Sequence, residues 1–233
     1  FKTKKKNLPQ WYRQRRYIHF DEPLSLKKAN ELVTNKKMVA KHSFWPLITF
    51  DIVTSKISQE NLTKEIIKKS KTRSISYAAH SDSLIYSYYC KILSDLYEAE
   101  LSYVILVDAV LALRKLEKSN ISFAHEKKNK RKKRGECSVV ALDIRKFFDT
   151  LCHKKLKATW KKILNKDSLP ADHLAIYKSL TKSSSVNRDS LFEAFSISQS
   201  NPRNEGRTRV CTPLEFREKV RSGNLIKTNN SNK

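Results

Sequence analysis

An α+β fold rich in helices is predicted by three features of the sequence. Ile85, Tyr88, Tyr89, Ile92, Leu93, Leu96 and Tyr97 recur at helical spacing. Residues 73–78 (RSISYA) alternate as a strand does, and Cys137–Asp143 reads as a short buried strand. With 39% hydrophobic residues the chain has the apolar material for a core, which a disordered basic tail lacks.

The elements follow in order. Residues 1–20 form a basic, aromatic arm with Trp11, Tyr12, Tyr17 and Phe20. Pro23 and Ser25 open a helix through Ala29, Leu32 and Val33, broken by Trp45 and Pro46. Ile57, Leu62, Ile66 and Ile67 are spaced for a short helix, followed by the polar 68–72 segment and the 73–78 strand. Ser81 and Asp82 supply an N-cap and a first-turn acid for the helix carrying Ile85 to Tyr97. Residues 104–116 read as another apolar helix. Leu156, Trp160, Ile163 and Leu164 mark a helix after the 137–143 strand, and beyond residue 183 only Pro213–Arg221 is patterned.

Charge narrows the function. Lys and Arg number 48 against 23 Asp and Glu, a formal +25, so a polyanion is the expected partner. Two blocks hold fourteen of these charges: Lys2, Lys4, Lys5, Lys6, Arg13, Arg15 and Arg16, then Lys127, Lys128, Lys130, Arg131, Lys132, Lys133 and Arg134. The remainder is still basic, which favours a nucleic-acid channel over a detachable tail. The 127–134 run reads either as such an interface or as a solvated helix face or loop, since no apolar residue follows Ala124 until Val139. Three glycines cannot write a dinucleotide or P-loop fingerprint. Four scattered cysteines form no C-x-x-C, and six histidines show no metal-ligand spacing. No apolar run is long enough to span a membrane and no signal peptide is visible, so a cytoplasmic protein without membrane contact is expected.

The segment that carries chemistry is residues 139–149, VVALDIRKFFD. An acid at the end of an apolar strand is costly unless it is paired or binds a cation. Mg²⁺ takes hard oxygen ligands, so the Asp143 carboxylate fits, with the Ile144 carbonyl as a neutral ligand. Phe147 and Phe148 follow, and an aromatic at the base of a nucleotide site can stack under a sugar and exclude a 2′-hydroxyl. Asp149 reads better as a cap for the next helix. Taken singly, Asp143 also reads as a strand-end cap, and both phenylalanines as core.

Together these residues resemble the first palm motif of bacterial reverse transcriptases, the group II intron, retron and phage-defence enzymes: D-I-x-x-F-F-D after an apolar strand, then H-x-x-L at His153 and Leu156. Residues 73–76 (RSIS) are similar to the fingers strand whose Arg meets the incoming triphosphate, and residues 81–86 (SDSLIY) resemble the following helix start. The stretch from Leu101 to Phe123 also looks like that of defence-associated members.

The resemblance implies the helix-rich fingers and an incomplete palm of a right-hand polymerase. Residues 1–20 would be a basic arm, 21–136 the fingers and 137–233 a partial palm. Asp143 would be the first catalytic acid and metal ligand, Arg73 with Lys71 or Lys69 would steer a deoxynucleoside triphosphate, and Phe148 would be the gate against ribonucleotides. The partners implied are an RNA template or RNA/DNA hybrid, and the activity is RNA-directed DNA polymerisation.

The departures are specific. The family's Y-x-D-D hairpin is missing, since no two Asp are adjacent, and so is its P-Q-G segment. One acid cannot clamp two Mg²⁺ ions, so one site at most is expected. Cys152 stands where the family often has an acid. The chain reads as a truncated, locally altered copy, inactive by itself, or as a noncatalytic basic nucleic-acid-binding protein that retains the fold.

Overall fold

A computed structural model describes residues 8–59, 66–103, 109–112, 114, 116–138, 140, 142–144 and 147–228, without the side chains of Phe148 and Asp149. It is mixed α and β, as expected, and divides into two compact units. One comprises residues 1–91 and 168–232, the other residues 92–167.

The first unit is built on a mixed four-stranded sheet in the order β2-β1-β3-β4. Strands β1 (Leu47–Gln59) and β2 (Ile66–Tyr77) form a long antiparallel hairpin, from Ile48 opposite Tyr77 to Gln59 opposite Ile66. Both are rich in β-branched residues, which favour a pleated surface. The short helix expected from Ile57 to Ile67 does not form in the described part of that stretch, because Ile57, Ser58 and Gln59 pair with Lys68, Ile67 and Ile66 across the hairpin. Strand β3 (Ser184–Asn187) runs parallel to the start of β1, and β4 (Ile226–Thr228) pairs antiparallel to β3.

Helix α7 (Arg188–Ala194) packs on β1 and β3, and further helices complete the unit. In α1 (Leu26–Thr34) the Ser25 side chain caps the Lys28 N–H, and in α2 (Lys36–Ala40) Asn35 caps Met38. Helix α3 (His80–Ser102) carries the apolar stripe read from the sequence, and α2 packs against α6 (Ala171–Thr181). Asn187 ends β3 and caps α7 (Arg188–Ala194) through the N–H groups of Asp189 and Ser190. Thr212 and Glu215 form a capping box on α8 (Pro213–Glu215), which runs on as a π-helical turn, Phe216–Arg221. Gly223 follows because a Cβ there would collide with the Lys219 carbonyl.

The core of this unit joins Ile18 and Phe20 to Ile48, Val186, Leu191, Phe192, Ile197, Val210, Cys211, Phe216 and Val220. Most of these lie in the stretch beyond residue 183 that the sequence leaves unpatterned. Its elements are too short to show a period, and each contributes only one or two buried side chains.

In the second unit, α4 (Asn120–Arg134) starts at Ser119, whose hydroxyl accepts from the Ser122 N–H, and buries none of its residues. A 3-10 turn (Phe147–Thr150) precedes α5 (His153–Ile163), in which Trp160 is buried. Two expectations are not met among the described residues here. Residues 104–108 lie outside the described residues, while Ala109–Ala112, Arg114 and Leu116 are not helical. The Arg114 guanidinium donates to the Val110 carbonyl (2.8 Å), the acceptor that helix formation would give to the Arg114 backbone. The strand expected at Cys137–Asp143 is likewise absent among the described residues, with Val140 80% and Leu142 92% exposed. A strand exists only within a ladder, and no described residue pairs with this segment.

Candidate nucleic-acid interface

Arg73 and Lys71, expected at a nucleotide site, stand on β2. The pleat puts Lys69, Lys71 and Arg73 on one face, because side chains alternate with a period of two. Across the hairpin their partners are Lys56, Thr54 and Ile52, so Lys56 joins the same face directly opposite Lys69. The Arg73 guanidinium lies 3.4 Å from Thr54 Oγ1, and the Thr54 hydroxyl donates to the Lys71 carbonyl (3.1 Å). Nearer the sheet, Phe50 and Ile75 continue this face, and the Arg188 guanidinium sits 4.3 Å above the Phe50 ring. The one acid on the described part of the hairpin, Asp51, falls on the opposite face.

The result is an exposed ladder of four cations with an aromatic and an aliphatic side chain at its foot. Like charges facing each other across strands are destabilising, so the Lys56–Lys69 pair is a cost to the free protein that a bound polyanion removes. Sequence reading identifies Lys69, Lys71 and Arg73 but misses Lys56 and Arg188. Only the register shows that they share this environment.

The base of the hairpin is fixed by a buried polar network at the start of α3. The Asp21 carboxylate accepts from the His80 and Ser81 N–H groups (both 2.8 Å) and from the Ser81 hydroxyl (2.7 Å), so a residue just past the N-terminal arm caps this helix. Asp82 accepts from His42 Nε2 (2.6 Å) and the Trp45 N–H (2.9 Å), tying the loop before β1 to the same turn. Burial raises the Asp82 pKa, and the His42 contact works against that rise. His19 accepts the Phe20 N–H at Nδ1 (2.9 Å), and burial pushes its pKa down to about 4. Tyr17 stacks on His80, whose pKa burial also lowers. In α3 and α6, Tyr89 donates to Asp172 Oδ2 (2.7 Å) and its pKa is raised, first by burial. Three side chains, His19, Asp21 and Asp82, therefore anchor backbone N–H groups here.

The second unit holds the other expected residues. Asp143 and Ile144 lie in irregular, exposed backbone ahead of the 3-10 turn that contains Phe147 and Phe148. Phe147 is 47% exposed, whereas the Phe148 side chain, the expected gate, lies outside the described residues, as does that of Asp149. The cap position of α5 belongs to Cys152, whose thiol pKa is lowered chiefly by the backbone N–H of Lys155 and then by that of Lys154. An anion is favoured at such a helix start, which accounts for an acid being acceptable at this position.

All seven cations of the 127–134 run are exposed on α4. The helix is tied to its own unit by residues 123–130: Glu126 pairs with Lys118 (2.7 Å), and Phe123, Lys127 and Lys130 line a hollow with Leu111, Arg114 and Leu116. Beside it, Arg114 holds Glu98 by paired hydrogen bonds of 2.9 Å. Lys2, Lys4, Lys5 and Lys6 of the first basic block lie outside the described residues. No described helix is long and apolar enough to cross a membrane. No protein-family model matches the chain, and no curated protein matches it at a significant level.

Proposed function

We propose that the chain is the fingers and first palm segment of a bacterial-type reverse transcriptase, an RNA-directed DNA polymerase. The observation that carries this reading is the D-I-x-x-F-F-D segment, its Asp143 exposed to solvent just ahead of a tight turn and helix. The cationic hairpin face supports it, because Arg73, Lys71 and Lys69 form a strip that can hold a triphosphate or the template backbone.

An exposed carboxylate with a backbone carbonyl beside it is a hard-oxygen donor pair of the kind Mg²⁺ takes, so Asp143 and Ile144 would hold such an ion, which would supply charge neutralisation at the phosphates. Arg73 and Lys71 bind the triphosphate, and Phe148 excludes the 2′-hydroxyl.

Two further acids are required for in-line transfer, and the sequence has no two adjacent aspartates. Residues 1–233 alone are therefore expected to give no primer extension. A longer version that adds a Y-x-D-D hairpin is expected to extend a DNA primer on RNA, and to lose that activity on Asp143→Asn. Extension by the 233 residues, or an active Asp143→Asn variant, refutes this reading. The cations on the hairpin and α4 equally favour a second one, a noncatalytic nucleic-acid-binding protein. A longer version that binds RNA/DNA hybrid tightly and never extends a primer decides for it.

A further inference from the structure

The second half of α4 is an unusual helix. Seven of the eight residues 127–134 are cationic, and successive residues turn by about 100°. Lys127, Arg131 and Arg134 cluster on one side, Lys128 and Lys132 on the next, and Lys130 and Lys133 opposite these, with Asn129 filling the one gap. Every face therefore carries positive charge. Among the described residues none of the seven forms an ion pair, and α4 buries no side chain.

A single row of phosphates, or a flat anionic surface, would engage only about half of such a helix. Insertion into a membrane interface, or seating in an apolar groove of a partner, would need an apolar face, and none exists beyond Ala124. A cleft with phosphates on both walls engages all of it. The B-form major groove is about 12 Å wide and about 8.5 Å deep, and it admits a helix about 10–12 Å across. The A-form major groove is too narrow and its minor groove too shallow to enclose one. The C-terminal position of the cations also complements the helix dipole, so the helix persists despite their repulsion.

We propose that α4 is a groove-inserting helix for double-stranded B-form DNA, a site separate from the hairpin that takes nucleotide or template. The proposal deepens the nucleic-acid reading above and rests on it.

The test uses the 233-residue chain with fluorescent 20-bp DNA, the RNA duplex and RNA/DNA hybrid of the same sequence, and single-stranded DNA, over a salt series. One variant replaces the seven cations by Gln. The other is Asn129→Pro, which breaks the helix and keeps the charge. Because residues 127–134 are all exposed, both variants are expected to keep the wild-type melting temperature. The expected result is tenfold or greater preference for the DNA duplex over the RNA duplex. The Gln variant loses that preference, and its slope of log affinity against log salt falls by about six. Asn129→Pro weakens duplex DNA at least tenfold and leaves single-stranded DNA unchanged. Equal affinity for the DNA and RNA duplexes, an Asn129→Pro variant that binds like wild type, or competition by polyglutamate as strong as by DNA would each overturn the proposal. A wild-type chain that binds hybrid but shows no preference for the DNA duplex over the RNA duplex overturns α4's role alone, whereas absence of wild-type binding to every nucleic acid overturns the wider reading as well.

Discussion

His19 and His80 are buried imidazoles, and burial holds both in the neutral form. Their folded pKa values lie below the ordinary 6.5, that of His19 at about 4, so the unfolded chain binds more protons between those limits. Their contribution to stability is thus full above pH 6.5 and is lost as pH falls toward 4, amounting to about 3 kcal/mol for His19. Asp82, with its raised pKa, acts in the opposite sense. The contribution of His19 is isolated by His19→Asn, whose Oδ1 can still accept the Phe20 N–H. Melting curves at pH 7.5 and 5.0 should show a smaller acid loss for the variant than for wild type, and an equal loss would refute the assignment. At the neighbouring carboxylate, Asp21→Ala leaves the His80 and Ser81 N–H groups uncapped and should destabilise the protein by about 2 kcal/mol in denaturant titrations. Nothing in the order H-F-D at residues 19–21 announces this role, because the cap and its helix are separated by some sixty residues. The sequence offers Ser81 as the local cap, and tertiary structure gives the position to Asp21.

The β1–β2 hairpin separates binding from folding. Its distal half is exposed on both faces, so its cations contribute nothing to a core. Lys56→Glu converts a facing pair of like charges with Lys69 into an attractive one. The variant is expected to gain up to about 1 kcal/mol in stability while binding RNA more weakly, and a loss of both would show that Lys56 plays a different part. Arg73→Ala should lower affinity for a deoxynucleoside triphosphate with an unchanged melting temperature. Legibility differs between elements for physical reasons. Helices α1, α3 and α5 are visible because apolar residues recur at helical spacing along each. The hairpin was half visible: alternation at residues 73–78 revealed one end of β2, whereas its isoleucines at 57, 66 and 67 mimic a helical spacing. The 137–143 segment shows the reverse case, strand-like residues without a pairing partner among those described.

For the molecule as a whole, the excess of +25 divides among the first sixteen residues, the hairpin, α4 and many single positions, so no one element should account for all binding. Nucleic-acid affinity should fall steeply with salt, because each phosphate neutralised releases a counterion. Deleting residues 127–134 is expected to reduce the salt slope without abolishing binding to RNA, since Lys56, Lys69, Lys71 and Arg73 remain on a separate element. Abolished binding would assign the whole interaction to α4, and a slope insensitive to the deletion would assign it to the hairpin and body. The candidate catalytic position follows different logic. Asp143 has its expected neighbours in sequence, but its strand has no ladder among the described residues and leaves Leu142 exposed to water. If a Y-x-D-D hairpin supplied that ladder, two changes should coincide: the 137–143 amides should become protected from hydrogen exchange, and primer extension should appear. Phe148→Ala in that longer version should then admit ribonucleotides while leaving deoxynucleotide use largely intact. Protection without extension would show a strand restored but no metal site, and extension without protection would show that Asp143 acts from a loop, contrary to the palm geometry proposed for it.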